Sequence, residues 1–362
     1  LVGSEMCIRD RSETSPKAGV FFGPWGNHQR GVRLGSVKAR FLLPQRLGAL
    51  RSTCFCSMYP VALRDKLYAT NGSTVIAINA VEGKLIWRQK FRRLPISLRN
   101  TVLTVGIDLN NVYISRPDGI RCLDALSGKL KWAVYFDLTE KKNLAVVENP
   151  PLAEPSLAVT PPLIVEDHLY VGVLIHETGS VTCSLLCLDT SGGKLLWQKR
   201  IGSSETRDFL RLGSSPLPLV AKEGKIFFCT NVGLLAACDA EDGTILFVRS
   251  YPRMEVLASH YSIRRENRWH ACVPRIYQNA LIVAPQDSNE LLFVSTSSGA
   301  ILQRIDRSGA EDFIGPFENS LFLVGTTLRR INLEKGFKYS FSYEVQLPDR
   351  PVGRGYGEAG AV

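Results

Sequence analysis

The chain has 362 residues, of which 45% are hydrophobic, so it can bury a large core and does not require a second globular domain. No run approaches the roughly 18 apolar residues of a membrane-spanning helix. The net charge is +10, but residues 1–60 hold nine Lys or Arg against three acids, so this part carries most of the excess. Because the chain shows no basic helix or aromatic-basic ladder, we expect no nucleic-acid partner.

The two ends of the chain differ from its middle. Residues 1–11, LVGSEMCIRDR, look like the translation of a sequencing adapter, and we set them aside as an artefact. We expect residues 12–36 to form an irregular segment and residues 37–362 to form one domain. Within this domain, residues 36–44 predict a lone outer strand. Residues 350–362 predict the opening strand of a further unit that is truncated at the C-terminus.

A hairpin pattern recurs six times along the domain. Each copy has a short β-run ending in Asp, Asn or Ser, a Gly four residues later and, usually, another apolar run. The complete copies are 78–87, 123–132 and 188–197, and the weaker ones are 238–247, 294–302 and 331–336. An Asp or Asn side chain can accept backbone amides two residues on, and Gly tolerates the positive φ of a reversal. The pattern therefore predicts tight hairpins with turn glycines Gly83, Gly128, Gly193, Gly243, Gly299 and Gly336.

Further β-runs precede each copy, such as 66–70 and 225–230, so each unit holds about four short strands. Four antiparallel strands per unit, with almost no helical periodicity, favour an all-β fold. We predict a β-propeller of four-stranded antiparallel blades, with six full blades plus parts of a seventh. The longest connection, residues 137–160, predicts an inserted surface loop between the second and third blades.

A large aromatic residue follows the turn glycine by four positions in four of the copies: Trp87, Trp132, Trp197 and Phe247. A repeated aromatic on the outer strand can bury much apolar area while fixing few torsions. We therefore predict a structural role for these four residues, as the docking contact between neighbouring blades.

On these motifs the chain resembles the pyrroloquinoline quinone-like, Trp-docking repeat family, over about residues 25–362. The resemblance implies a propeller and is closest to the non-catalytic members typified by an outer-membrane assembly lipoprotein. The family's dehydrogenases stack the quinone on a disulfide of adjacent cysteines and use a divalent cation and an Asp base. This chain has Cys54-Phe55-Cys56 and no Cys-Cys pair. We therefore expect no catalytic residue, no cofactor and no metal site.

One segment, residues 259–292, concentrates aromatic, polar and ionisable residues between two repeats. We predict that five of its side chains line a mouth of the central channel and bind an anionic ligand or a partner: Arg264, Arg265, Trp269, His270 and Asp287. The alternative is a solvated loop that Trp269 pins to the core.

The nine cysteines do not form a disulfide framework. Cys122 and Cys187 occupy the same position of the repeat, and this placement is typical of small apolar residues in strands. We therefore expect buried thiols. Such thiols are unusual in the oxidising envelope location that the resemblance implies.

Three functions remain open. The first is a non-catalytic scaffold that binds proteins or ligands in the cell envelope, periplasmic or otherwise extracytoplasmic and peripheral to the membrane. The second is a fragment of a quinone-dependent dehydrogenase. The third is the extracytoplasmic sensor domain of a larger receptor such as a kinase.

Overall fold

The computed structural model describes residues 57–346, except 59, 71–72, 92–101, 104, 141–142, 150–156, 178, 206–215, 255–268 and 270–271, together with 356–357 and 360–361. The adapter-like residues, the irregular segment 12–36 and the lone strand predicted at 36–44 lie outside this part. Nearly all regular structure in the described part is β, and the exception is one 3₁₀ turn.

The first three sheets cover the N-terminal half of the described chain. Strand β1 (Ser57–Met58) lies outside sheet 1 and precedes it in the chain. Sheet 1 contains β2 (Val61–Leu63), β3 (Lys66–Thr70), β4 (Thr74–Asn79) and β5 (Leu85–Lys90). Strand β6 (Val102–Leu103) pairs in parallel with β1. Sheet 2 contains β7 (Gly106–Ile107), β8 (Asn111–Arg116), β9 (Gly119–Asp124), β10 (Leu130–Glu140) and β11 (Asn143–Val147). Sheet 3 contains β12 (Leu157–Val159), β13 (Leu163–Val165), β14 (His168–Glu177), β15 (Ser180–Asp189) and β16 (Leu195–Glu205).

Three sheets of four strands follow. Sheet 4 contains β17 (Val220–Lys222), β18 (Lys225–Cys229), β19 (Leu234–Asp239) and β20 (Ile245–Ser250). Sheet 5 contains β21 (Arg275–Tyr277), β22 (Ala280–Val283), β23 (Glu290–Ser295) and β24 (Ile301–Asp306). Sheet 6 contains β25 (Ala310–Phe317), β26 (Ser320–Gly325), β27 (Thr327–Leu333), the 3₁₀ turn (Lys335–Phe337) and β28 (Tyr339–Gln346). A last hairpin joins β29 (Tyr356–Gly357) to β30 (Gly360–Ala361).

The connection at 137–160 differs from the predicted surface loop. Strand β10 continues to Glu140, and β11 folds back on it as a fifth antiparallel strand. The pairing runs from Tyr135 opposite Val147 to Glu140 opposite Asn143. Because the apolar residues Leu144 and Val146 pack into the layer between sheets 2 and 3, pairing with β10 lets this stretch bury them. Strand β12 then begins sheet 3, so the loop prediction is wrong for residues 137–140, 143–147 and 157–159.

The turns of the repeated hairpins follow directly from their sequence. Asp124 shows the arrangement: its Oδ1 accepts the amides of Leu126 and Ser127 at 3.1 and 2.8 Å. The amide of Ser127, helped by its hydroxyl, lowers the pKa of this carboxyl. Gly128 then closes the turn at φ 69°, and the other five turn glycines have φ values between 71 and 75°. A side chain at these positions would strain the backbone.

The apolar core is divided into layers, and each layer lies between two consecutive sheets. Strand β9 illustrates why, because successive side chains of a strand point to opposite faces. Leu123 packs into the layer shared with sheet 1, whereas its neighbour Cys122 packs into the layer shared with sheet 3. The same alternation separates Cys187 from Leu188 on β15. The middle strands are therefore buried on both faces, and this order of sheets is that of propeller blades.

An aromatic contact repeats across these layers. The indole of Trp87 in sheet 1 lies over Gly128 in sheet 2 and donates to the carbonyl of Ala125 at 3.0 Å. Trp132 likewise covers Gly193 and donates to the carbonyl of Thr190 at 3.0 Å. The contact therefore joins the outer strand of one sheet to the turn of the next.

The two later sheets continue this series. Trp197 covers Gly243, and Phe247 covers Gly299 without a hydrogen bond because a phenyl ring has no donor. A second aromatic ring on the same sheet supports each docking ring. Its centroid lies 5.9 to 6.4 Å away, as in the pairs Tyr68–Trp87, Tyr113–Trp132, Tyr170–Trp197 and Phe227–Phe247.

A β-bulge precedes each docking aromatic. On β5, Leu85 pairs with Ile78 and Trp87 pairs with Ala77, so Ile86 is an extra residue. A bulge re-aims the neighbouring side chains, and here Trp87 turns into the core while Ile86 stays exposed. The same shift leaves exposed aliphatic residues on β16, β20 and β24, namely Leu196, Leu246 and Leu302.

Candidate functional site

Of the five predicted binding residues, the structure describes Trp269 and Asp287; Arg264, Arg265 and His270 lie outside the described residues. Trp269 is 1% exposed and belongs to the apolar layer between sheets 5 and 6. Its Nε1 is buried and has no hydrogen-bond partner among the described residues. The burial of this ring agrees with the alternative in which Trp269 pins the segment to the core. Anion binding by this segment stays a prediction.

Asp287 is also buried, at 1% exposure, on the turn that follows β22. Its Oδ1 accepts the hydroxyl of Tyr251 at 2.8 Å, and its Oδ2 accepts Arg253 Nε at 3.1 Å. Burial raises the pKa of the Asp287 carboxyl, and the contacts with Tyr251 and Arg253 counteract part of that rise. Both partners follow β20, so the carboxyl joins sheet 4 to sheet 5.

The surroundings of Asp287 position its partners. The aliphatic part of Arg253 lies over Gly233, where a Cβ would come 2.6 Å from Arg253 Cδ. The carbonyl of Asp287 accepts the amide of Met254 at 2.8 Å, so this turn holds the chain immediately before the segment 255–268. The Arg253 side chain is one-quarter exposed, so solvent reaches this cation but not its carboxylate.

Sequence reasoning missed Tyr251 and Arg253, because 36 and 34 residues separate them from Asp287 and no local pattern connects them. It also missed the link beside them, in which the backbone amide of Gln286 donates to Asn231 Oδ1 at 3.1 Å. The sequence signal for this link is the turn Asn231-Val232-Gly233 between β18 and β19, in which Asn231 adopts φ 57°.

A second cluster of charges lies in sheet 2. Asp118 accepts Arg116 Nε at 3.0 Å and Arg121 Nη2 at 2.7 Å. Burial opposes ionisation of Asp118, but the hydrogen bond and charge of Arg121, followed by those of Arg116, hold its pKa below the ordinary value. Both guanidinium groups lie over the ring of Phe91, at 5.5 and 5.6 Å from its centroid. This cluster fixes the β8–β9 turn.

Neither cluster has the composition of a metal site. No group of three or more His, Cys, Asp or Glu side chains suited to a metal ion occurs among the residues described. Within the same part of the chain, no helix has the length and hydropathy needed to cross a bilayer.

Comparison with known proteins identifies a family and solved structures that share this architecture. The family model described as outer membrane protein assembly factor BamB matches residues 55–308. No curated protein matches the chain.

Two solved structures share the fold. The crystal structure of BamB from Moraxella catarrhalis is 12% identical, with a TM-score of 0.53 over 82% of this chain and 80% of that one. A europium-containing methanol dehydrogenase is 10% identical, with a TM-score of 0.55 over 83% of this chain and 73% of that one. At these identities the likenesses speak for the fold alone. They confirm the β-propeller, whereas the number of blades in the ring stays a prediction. Since the family model covers well over half of the sequence, the chain belongs to the family of the outer membrane protein assembly factor BamB.

Proposed function

We propose that the chain is a non-catalytic β-propeller that binds other proteins in the cell envelope, on the periplasmic or another extracytoplasmic side. The matching family is described as an assembly factor for outer membrane proteins. That description implies protein partners and a location peripheral to a membrane. The fold alone does not decide between binding and catalysis, because the propeller hosts both.

The observation that carries the proposal is the exposed aliphatic rim on the outer strands. The bulge residues Ile86, Leu196, Leu246 and Leu302 all stay exposed, and the first three are neighbours of a docking ring. Single exposed apolar residues are ordinary, but here they recur at one position of four sheets and form an apolar band along the perimeter, which Lys131 interrupts in sheet 2. Such a band supports contact with other proteins.

The second candidate is a quinone-dependent dehydrogenase, which the shared fold with a methanol dehydrogenase introduces. The two buried charge clusters described above do not favour it, because their carboxylates are already engaged by Tyr251 and Arg253 or by Arg116 and Arg121. A reacting base needs an accessible carboxylate near its substrate.

The test uses the tagged full chain as bait in an extract of outer membranes from the source organism. We expect a specific protein to be retained, to be displaced by excess untagged chain, and to be missing when the bait is heat-unfolded. In parallel, the purified chain is incubated with pyrroloquinoline quinone and either calcium or a lanthanide.

Bound quinone chromophore together with alcohol-dependent dye reduction would refute the proposal. Displaceable capture of an envelope protein, with no dye reduction, is the result we expect. Failure to capture any displaceable protein would also refute it.

A further inference from the structure

The exposed aliphatic residues are most numerous on sheets 1 and 2. Twelve large hydrophobic residues are exposed in the part of the chain that the structure describes, and half of them belong to sheets 1 and 2. We name this group the sheet 1–2 patch; its members are Val81, Leu85, Ile86, Leu109, Leu126 and Leu130. Leu126 is 70% exposed and Leu130 is 53% exposed.

The two sheets meet at this patch through the docking contact. Trp87, the neighbour of Ile86, donates to the carbonyl of Ala125, the neighbour of Leu126. The amide of Ala125 in turn donates to the carbonyl of Asn110, which is adjacent to Leu109. The exposed residues of the two sheets therefore lie on both sides of one docking contact.

The acids around the patch are already engaged. Glu82 pairs with Lys84 at 3.0 Å, and Asp124 pairs with Lys131 at 3.4 Å while capping its own turn. Asp108 accepts the hydroxyl of Tyr113 at 2.6 Å and also two amides of its own turn. Glu82 and Asp124 are thus paired with cations, whereas the Asp108 carboxylate is held by neutral donors.

The cations around the patch are not all engaged in this way. Arg88, Lys90 and Lys129 are exposed, and none of them has an ion-pair partner among the residues that the structure describes. The patch thus combines exposed aliphatic groups with an excess of positive charge, because within the described part of the chain three unpaired cations stand against the one carboxylate, Asp108, that no cation pairs. An interface partner of complementary charge is acidic.

From this combination we propose that the sheet 1–2 patch binds an acidic, apolar segment of a partner protein. The proposal deepens the proposed function and rests on it. Residues 1–56 of the chain itself are a poor occupant, since they carry nine Lys or Arg against three acids. A uniformly anionic lipid surface is also disfavoured, because it would meet Glu82, Asp108 and Asp124 together with the cations. A discrete segment can place its acids opposite Arg88 and Lys129 alone.

The test measures the binding of the full chain to a short fluorescent peptide in which leucine and glutamate alternate. We expect binding that weakens with salt, as an exposed charge contact does. A peptide that alternates leucine and lysine, and one that alternates serine and glutamate, should bind at least about fivefold more weakly. Vesicles containing phosphatidylglycerol should not compete.

Two pairs of substitutions locate the binding. Ile86→Ser with Leu130→Ser removes apolar area, and Arg88→Glu with Lys129→Glu reverses the charge; each pair should weaken peptide binding about tenfold. Val345→Ser and Arg249→Glu change an exposed aliphatic residue and an exposed cation on other outer strands, and should leave binding within about twofold. All four sets of changes are at the surface, so circular dichroism should show an unchanged fold.

Several outcomes would overturn the proposal. They are no peptide binding, equal loss in the control variants, equal binding of the lysine peptide, or vesicle binding that the patch substitutions abolish. If the native chain captures an envelope protein and the Ile86→Ser, Leu130→Ser chain captures it equally well, the patch is refuted and the proposed function stands. Quinone-dependent activity refutes the proposed function whatever the peptide does.

Discussion

The indole of Trp87 lies so close over Gly128 that a Cβ on that glycine would be 2.5 Å from the indole Cδ2. Gly128 has φ 69°, so the position is constrained twice, by the backbone and by the neighbouring sheet. The same pair of constraints holds at Gly193, Gly243 and Gly299. Gly336 has the same backbone, φ 73°, but nothing lies within 4 Å of its added Cβ.

This contrast predicts different costs for the same substitution. Gly336→Ala should lower the free energy of unfolding by about 1 to 2 kcal/mol, the cost of a left-handed backbone for Ala. Gly128→Ala should lower it by about 1 to 3 kcal/mol more, because Trp87 must also move. Urea unfolding of the two variants measures the difference. Equal losses would show that the docking contact is not tight.

The indole hydrogen bond predicts a smaller effect. Trp132→Phe keeps most of the packing but removes the bond from Nε1 to the carbonyl of Thr190, and should lower the free energy of unfolding by about 1 kcal/mol. Trp132→Ala should lower it by about 3 to 5 kcal/mol, because the layer between sheets 2 and 3 loses a large ring. Both values come from chemical denaturation. If the phenylalanine variant were as unstable as the alanine variant, the division of the Trp132 contribution into packing and a hydrogen bond would be contradicted.

The pair formed by Asp287 and Arg253 predicts a variant whose loss of stability depends on pH. Burial raises the pKa of Asp287, and Arg253→Met should raise it further by removing a cation. A raised carboxyl pKa favours the folded protein at low pH, and this advantage is lost as the pH rises through the folded-state pKa. The free energy of unfolding of the variant should therefore be about 2 to 4 kcal/mol below that of the native chain at pH 7, and this loss should be smaller at pH 5.

The control is Arg249→Met, on the exposed end of β20, which should have little effect on stability at either pH. A loss for Arg253→Met that is the same at both pH values would contradict this account.

The buried cysteines predict slow thiol chemistry. All six cysteines in the described part of the chain are buried thiols. Burial raises the pKa of five of them, Cys122, Cys183, Cys187, Cys229 and Cys238, to about 12. The reactive thiolate is therefore scarce at pH 8. Iodoacetamide followed by peptide mass spectrometry should modify these cysteines only in denaturant, whereas Ser127→Cys, on an exposed turn, should react in the native protein. Rapid native labelling at Cys187 would contradict the burial.

The hairpins, their glycines and the positions of the docking aromatics could be predicted because they are local and recur. The pair Asp124 and Gly128 sets a turn within five residues, and a repeat of that pattern defines a sheet. Strand β11 could not be predicted, because it depends on how far β10 extends, and its own residues do not set that length. The spacing of residues in the repeated hairpin does not predict the bulge that exposes Ile86.

The candidate site could be predicted less fully from the sequence, for a similar reason. The sequence indicates Asp287 within its segment, but its partners Tyr251 and Arg253 belong to the preceding repeat. The sequence groups Trp269 with Arg264 and Arg265 as binding residues, and the structure places its ring in an apolar layer, which agrees with the alternative of a pinned segment. Contacts between repeats follow from how the sheets stack, and a single sequence carries little information about this stacking.

The docking contact also bears on how such a chain can lengthen. Sheets 2, 3 and 4 each offer a glycine to the sheet before and a ring to the sheet after, so both halves of the contact belong to one unit. A tandem duplication of one unit would consequently arrive with matching ends, and insertion would not require new complementarity. Divergence afterwards is tolerated as long as some planar ring remains, as Phe247 demonstrates on Gly299.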